Sequence, residues 1–180
     1  MYSNSIKITD QHRTVDENAT DTNKNTFIKS YIVGYWVEDG SRRGNMESFM
    51  SVIGLKSSLS RQYVRSPNWE DEKVIFVEGD ELIVNEVSGP TATHIDFKIK
   101  LDNETVSELD IDTLQMSTNA TAEMTNTSLI LYIHKPGASD LLFTITYRID
   151  LDDLNTLNVE HKHLKSKIVW RTAFRRQQRQ

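Results

Sequence analysis

Apolar and polar residues alternate in short stretches along the chain after Pro67, with a turn signal roughly every ten residues. His94 to Leu101 shows this pattern clearly, because Ile95, Phe97 and Ile99 alternate with charged residues. Such alternation predicts strands with one buried and one solvated face. The predicted strands are Lys73–Val77, Glu81–Val87, His94–Leu101, Leu129–Ile133, Leu142–Ile149, Thr156–His163 and Lys167–Phe174, with weaker strands near Val106 and Leu114.

The segment before these strands predicts a further strand and two helical pieces. β-Branched and aromatic residues over Phe27–Trp36 predict strand one. Asn45–Gly54 predicts an amphipathic helix that begins after Asn45 as N-cap and ends at Gly54. A second helical turn is predicted over Ser57–Arg65. The apolar stripe of the first helix consists of Met46, Phe49, Met50 and Ile53.

About ten short antiparallel strands favour a closed barrel, because closure leaves no exposed strand edge. The sequence therefore predicts an all-β fold, an up-and-down antiparallel barrel capped by a short helix-turn-helix after strand one. Residues 1–26 are polar and are expected to form a flexible arm, because they cannot bury enough apolar surface to order themselves. Residues 27–176 are assigned to the barrel domain and residues 177–180 to a tail.

The motifs at the start of this barrel resemble the fatty-acid-binding-protein (calycin) family. Gly34-Tyr35-Trp36 and the helix from Asn45 to Leu55 match that family's first strand and first helix, and the resemblance extends over Ile28 to Arg176. Within that superfamily the chain is most similar to the tardigrade secretory abundant heat-soluble proteins. Shared features include Asp39, Ser41, Asn45, Glu47 and Leu55, and a basic tail that ends in Gln.

The resemblance also implies where a ligand would bind. The family holds a ligand carboxylate with an Arg-x-Tyr pair on the last strand and an Arg on an inner strand; here the pair is replaced by Thr172-Ala173-Phe174. Arg148 is the candidate for the inner-strand cation. Because Thr172 alone cannot neutralise a buried carboxylate, tight binding of an ordinary fatty acid is not expected.

Further candidate ligand-binding residues lie on the predicted inner faces. Trp170 and Phe174 share a strand face with Thr172, where they either fill the barrel or line a cavity. Phe49 and Met50 cap the barrel or form its portal. The resemblance points His161 inward, where it would offer a ligand a hydrogen bond. Trp36 is expected to pack at the barrel base.

Composition and motifs exclude or disfavour several kinds of functional site. The 180 residues carry a net charge of -5 and no cysteine, which disfavours a nucleic-acid surface and excludes thiolate metal sites and cysteine nucleophiles. His161 and His163 have spacing that some metal sites use, but no third ligand can be placed, and neither a metal nor a cofactor is expected. Because the chain contains no recognisable catalytic motif, it is expected not to be an enzyme. No apolar run approaches the roughly 20 residues that span a bilayer.

Four Asn-x-Ser/Thr glycosylation acceptors favour a secreted protein whose leader is missing, and a cytoplasmic location is the alternative. They are Asn18, Asn103, Asn119 and Asn126.

The leading functional expectation is a secreted, heat-soluble, protective barrel with a role in desiccation or stress tolerance, a lipid in its cavity and weak association with membranes or client proteins. The first alternative is a carrier of fatty acid or another small apolar ligand. The second is an interaction module whose arm, or whose tail arginines Arg171, Arg175, Arg176 and Arg179, would bind an acidic partner.

Overall fold

The computed structural model describes residues 28–40, 44–54, 71–88, 93–102, 106–111, 116–125, 127–135 and 137–177. Its strands are β1 (Gly34–Glu38), β2 (Glu72–Glu78), β3 (Glu81–Ser88), β4 (Thr93–Lys100), β5 (Ser107–Ile111), β6 (Met116–Met124), β7 (Ser128–His134), β8 (Leu141–Ile149), β9 (Thr156–His163) and β10 (Val169–Gln177). A π-helical turn covers Ile28–Ile32, and helix α1 covers Met46–Val52. The predicted arm at residues 1–26, the second helical turn at Ser57–Arg65 and residues 178–180 lie outside the described residues.

All ten strands belong to one antiparallel sheet in the order β4-β3-β2-β1-β10-β9-β8-β7-β6-β5. The first and last strands of the chain therefore pair with each other, and this pairing curls the meander into a barrel. Within the described residues, β4 and β5 lie side by side without a hydrogen-bonded ladder. The predicted fold class, an up-and-down lipid-binding-type barrel, is confirmed as a nearly closed barrel.

Register places alternate residues of each strand in the interior. On the β8–β9–β10 wall, for example, Tyr147 pairs with Val159, and Val159 pairs with Thr172. All three side chains are buried, whereas Arg148 and Arg171 on the opposite face are exposed. The largest fully buried side chains include Trp36, Phe49, Ile75, Leu82, Ile99, Leu129, Leu131, Ile133, Ile149 and Phe174.

Strand one is shorter than predicted. The prediction of a strand over Phe27–Trp36 is wrong in its first half, because residues 28–32 form the π-helical turn and the strand begins at Gly34. The indole Nε1 of Trp36 donates to the carbonyl oxygen of Ile32 at 2.8 Å, and the Arg176 guanidinium donates to Val33 O at 3.0 Å. Side chains therefore satisfy carbonyls that a strand would satisfy through its ladder.

The barrel base is built as predicted around Trp36. This indole is fully buried, and the guanidinium carbon of Arg176 lies 4.4 Å from its ring centroid. A Cβ at Gly34 would lie 3.1 Å from Arg176 Nη1, so glycine allows the guanidinium to approach closely. The last strand extends to Gln177, beyond its predicted end at Phe174, because it continues to pair with β1.

Helix α1 lies at the other end of the barrel from Trp36. Met46, Phe49 and Met50 are its buried residues, as the apolar stripe predicted. Asn45 precedes the helix in a left-handed conformation with φ of 59°, and its side chain makes no capping hydrogen bond. A bridge between Gly44 and Arg171 fixes the start of the helix to β10.

Candidate ligand-binding site

Four aromatic rings meet beneath helix α1, and we call them the ring cluster: Phe49, Phe143, His161 and Trp170. Phe49 comes from the helix, and its ring centroid lies 5.5 Å from Phe143, 5.6 Å from His161 and 5.8 Å from Trp170. The other three rings come from β8, β9 and β10, which are adjacent strands. The helix thus closes this end of the barrel by placing one ring against three rings of the wall.

The cluster contains a close stack between two strands. Trp170 pairs with His161 across β9 and β10, and their rings lie with centroids 4.1 Å apart and planes inclined by 16°. The turn that joins these strands, Leu164–Ser166, sets this register. His163, two residues further along β9, is buried, and its Nδ1 lies 2.8 Å from Ser166 Oγ.

Two polar atoms of the stack lack protein partners. His161 Nδ1 and Trp170 Nε1 are buried and have no hydrogen-bond partner in the part of the chain that the structure describes. Buried polar groups are nearly always paired, and leaving one unpaired costs about 1–3 kcal/mol. The described part of the chain therefore leaves two hydrogen-bonding positions of this wall unfilled.

The environment keeps His161 uncharged at neutral pH. Burial of the ring, with a smaller contribution from the positive charge of Lys73, lowers the pKa of His161 from 6.5 to about 3. Although part of the residue's surface stays accessible, its Nδ1 is enclosed. A neutral imidazole carries one proton, so Nδ1 acts either as a donor or as an acceptor.

Thr172 and Phe174 continue the inner wall below the ring cluster. Both side chains are buried, and they stand on the face of β10 that Trp170 occupies. The Nζ atom of Lys73, on β2, lies 4.9 Å from the centroid of the Phe174 ring. The positions that the family resemblance equates with an arginine and a tyrosine thus hold a hydroxyl and a phenyl ring.

Arg148 does not lie in the interior, so its assignment as an inner-strand cation is wrong. Its neighbours Tyr147 and Ile149 are buried, and strand alternation places Arg148 on the outer face, where it is exposed. There it borders a shallow depression of about 320 Å³ together with Arg171 and Glu160. Arg171 Nε donates to Glu160 Oε2 at 2.8 Å.

The structure therefore brings five of the seven candidate ligand-binding residues onto one continuous inner surface: His161, Trp170, Thr172, Phe174 and Phe49. Met50 is buried beneath the same helix, while Arg148 lies outside. Their role in binding a ligand remains a prediction.

Sequence reasoning missed three buried charged residues. They are Lys73, Glu38 and Asp71, and each makes interactions within the protein. Glu38 follows Trp36 by two residues, so strand alternation already placed it on the same face. Lys73 was harder to find, because Val74 and Phe76 make the opposite face of β2 equally apolar in sequence.

The other sequence-predicted features fall outside this site. Asn119 is half-buried on β6, and Asn18, Asn103 and Asn126 lie outside the described residues. Within the described ranges, no group of three or more His, Cys, Asp or Glu side chains is arranged to hold a metal ion. Helices of the length and hydropathy needed to cross a bilayer are also missing from that part of the chain.

Comparison with solved structures shows the fold. The fluorescent protein UnaG superposes with a TM-score of 0.65 at 19% identity, covering 83% of this chain and 99% of UnaG. A Schistosoma mansoni fatty-acid-binding protein in complex with arachidonic acid superposes with a TM-score of 0.67 at 12% identity, covering 83% of this chain and 98% of the Schistosoma chain. A secretory abundant heat-soluble protein from Ramazzottius varieornatus superposes with a TM-score of 0.64 at 18% identity, covering 81% of this chain and 94% of the Ramazzottius chain. No protein-family model and no curated protein matches the sequence.

Proposed function

We propose that this chain is a non-enzymatic binding protein that holds one small, largely apolar molecule inside the barrel beneath helix α1. The observation that carries the proposal is a pair of enclosed nitrogen atoms, His161 Nδ1 and Trp170 Nε1, that have no hydrogen-bond partner among the described residues and lie on a largely apolar inner wall. Binding sites of this kind combine apolar surface with a few polar atoms that fix the ligand's orientation.

The fold supports the proposal. The Schistosoma protein of the same fold is described as a fatty-acid-binding protein bound to arachidonic acid, and a Caenorhabditis elegans structure of this fold as a lipid-binding protein. Nearly closed barrels of this size enclose room for one small ligand. Helix α1 contacts the wall through Phe49, so displacement of this helix would uncover the ring cluster.

The test is native mass spectrometry of the full chain, before and after addition of N-phenyl-1-naphthylamine, a neutral apolar fluorescent probe. We expect one probe molecule per chain and a rise in probe fluorescence. Phe174→Trp, which adds volume to the inner wall, should weaken binding, whereas Arg148→Ala on the outer face should not. A folded chain that takes up neither the probe nor a co-purifying lipid would refute the proposal.

A second candidate function is the protective role of a secreted, heat-soluble protein in desiccation or stress tolerance. It is favoured by the likeness to the Ramazzottius protein and by a mean hydropathy of -0.51. Charged and polar outer faces would resist aggregation at high concentration. This role and interior binding are compatible.

The protective role has its own test. The chain should remain in the supernatant after boiling and should preserve the activity of a dried enzyme better than an equal mass of serum albumin. Precipitation on boiling, or protection no better than albumin, would contradict it. Use of the Asn119 acceptor is tested separately by expressing the chain behind a secretion leader and mapping its glycans. An unoccupied Asn119 would remove this acceptor as support for secretion.

A further inference from the structure

The hydrogen-bonding capacity of the His161–Trp170 stack restricts the ligand's polar group. An indole Nε1 can only donate, so the ligand must present an acceptor to Trp170. The Nδ1 atom of neutral His161 accepts or donates, according to the position of its proton. Because the two rings stack with centroids 4.1 Å apart, a single polar group at the edge of the stack lies close to both rings.

A hydroxyl group satisfies both atoms. Its oxygen accepts from Trp170 Nε1, and its proton is donated to His161 Nδ1 when that atom is unprotonated. If Nδ1 carries the proton, the same oxygen accepts a second hydrogen bond. An alcohol therefore fits either tautomer, whereas a hydrocarbon leaves both nitrogen atoms unpaired.

The charges already inside the barrel argue against a free carboxylate. Arg176 donates to the carbonyl oxygens of Val33 and Tyr31 and covers the Trp36 ring at the far end. Lys73 shares its region of the interior with two buried carboxylates, Glu38 and Asp71, and Asp71 N lies 3.3 Å from Glu38 Oε2.

Among the described residues, the buried lysine nearest to this wall, Lys73, therefore lies in a region that also holds two buried carboxylates. The other arginines that the structure describes on this wall, Arg148, Arg171 and Arg175, lie on the outer face. Within the described ranges, a ligand carboxylate would therefore meet no cation without interactions of its own, and an unmatched charge is costly in a low-dielectric interior.

We infer that the ligand ends in an uncharged hydroxyl group, held between Trp170 Nε1 and His161 Nδ1, and not in a free carboxylate. This inference rests on the function proposed above and names the chemical class of its ligand: a medium- or long-chain alcohol. Thr172 and Phe174, which continue the inner wall below the stack, are uncharged and are consistent with an uncharged head group.

The test compares three ligands of similar chain length: decan-1-ol, undecane and decanoate at pH 8. Each displaces N-phenyl-1-naphthylamine from the full-length protein, and its concentration for half-displacement is measured. We expect the alcohol to bind about tenfold more tightly than undecane, since it gains two hydrogen bonds. Decanoate should bind at least about tenfold more weakly than the alcohol, because its charge is unmatched.

Variants then assign the effect to the stack. Trp170→Phe keeps an aromatic ring but removes the donor, and it should reduce the alcohol's advantage over undecane to about threefold or less while the probe still binds. Arg148→Ala is the matched control and should leave all three affinities unchanged. The wild-type comparison stands by itself if a variant fails to fold.

The outcomes separate the inference from the proposed function. Equal affinities for the alcohol and undecane would overturn the inference, since the two nitrogen atoms would then not meet the ligand. Decanoate binding as tightly as the alcohol would also overturn it, while leaving interior binding intact. Failure of the probe and of all three ligands to bind would refute the proposed function itself.

Discussion

The imidazole of His161 lies nearly parallel to the indole of Trp170, with ring centroids 4.1 Å apart. Each ring has a buried nitrogen atom without a hydrogen-bond partner among the described residues. Phe49 of helix α1 covers the stack. One aromatic residue of the helix therefore closes the site that two strands of the wall create. The stability, pH dependence and binding properties of the protein should all depend on this arrangement.

Phe49→Ala should lower the free energy of unfolding by about 3 kcal/mol, because it removes a fully buried ring and leaves a cavity under the helix. Urea denaturation followed by circular dichroism measures this change. Ser48→Ala, at an exposed position of the same helix, is the control and should change stability by less than about 0.5 kcal/mol. Equal effects of the two substitutions would mean that the helix does not pack on the ring cluster.

His161 should make the folded protein sensitive to acid. Its pKa is lowered from 6.5 to about 3, first by burial and second by Lys73, so the unfolded chain binds a proton that the folded chain does not between those two pH values. Stability due to this residue is therefore complete above pH 6.5 and declines as the pH falls toward 3, by roughly 5 kcal/mol at most.

His161→Phe preserves an aromatic ring and removes the titrating group. Urea midpoints measured between pH 7 and pH 3.5 should fall less steeply for this variant than for the wild type. Because carboxylates titrate in both proteins over the same pH range, the difference between the two profiles is the informative quantity. Parallel profiles would contradict the burial of an uncharged imidazole.

Trp36 and Arg176 should be energetically coupled at the barrel base. A double-mutant cycle with Trp36→Leu and Arg176→Met isolates the interaction of the guanidinium with the indole from the hydrogen bonds that each makes elsewhere. We expect a coupling of about 1 kcal/mol, since the contact is partly shielded from solvent. Additive losses of stability would show that the two residues stabilise the base independently.

Local sequence pattern predicted the strands well where one face is apolar and the other polar. The bounds of β9, Thr156–His163, agree with the prediction, and the stripe of α1 is buried as expected. The first half of strand one could not be predicted, because its carbonyls are satisfied by Trp36 and by Arg176, which is more than a hundred residues away along the chain. Pattern alone does not report contacts between such distant segments.

The site was only partly predictable for the same reason. Trp170 and His161 were each placed on an inner face, but their stack depends on the register across the β9–β10 turn. Arg148 was placed inside although strand parity puts it outside, and a shift of one residue is enough to reverse the face. Lys73 escaped notice because both faces of β2 are apolar in sequence.

The central claim is that Trp170 Nε1 meets a ligand inside the barrel, and the indole region of a ¹H–¹⁵N correlation spectrum tests it most directly. The chain has three tryptophans, which single Trp→Phe variants assign. On addition of decan-1-ol, the Trp170 Nε1–H signal should shift downfield as it gains an acceptor. The Trp36 signal, whose proton is already donated to Ile32 O, should stay in place. A Trp170 signal that does not move while the alcohol demonstrably binds would contradict this account.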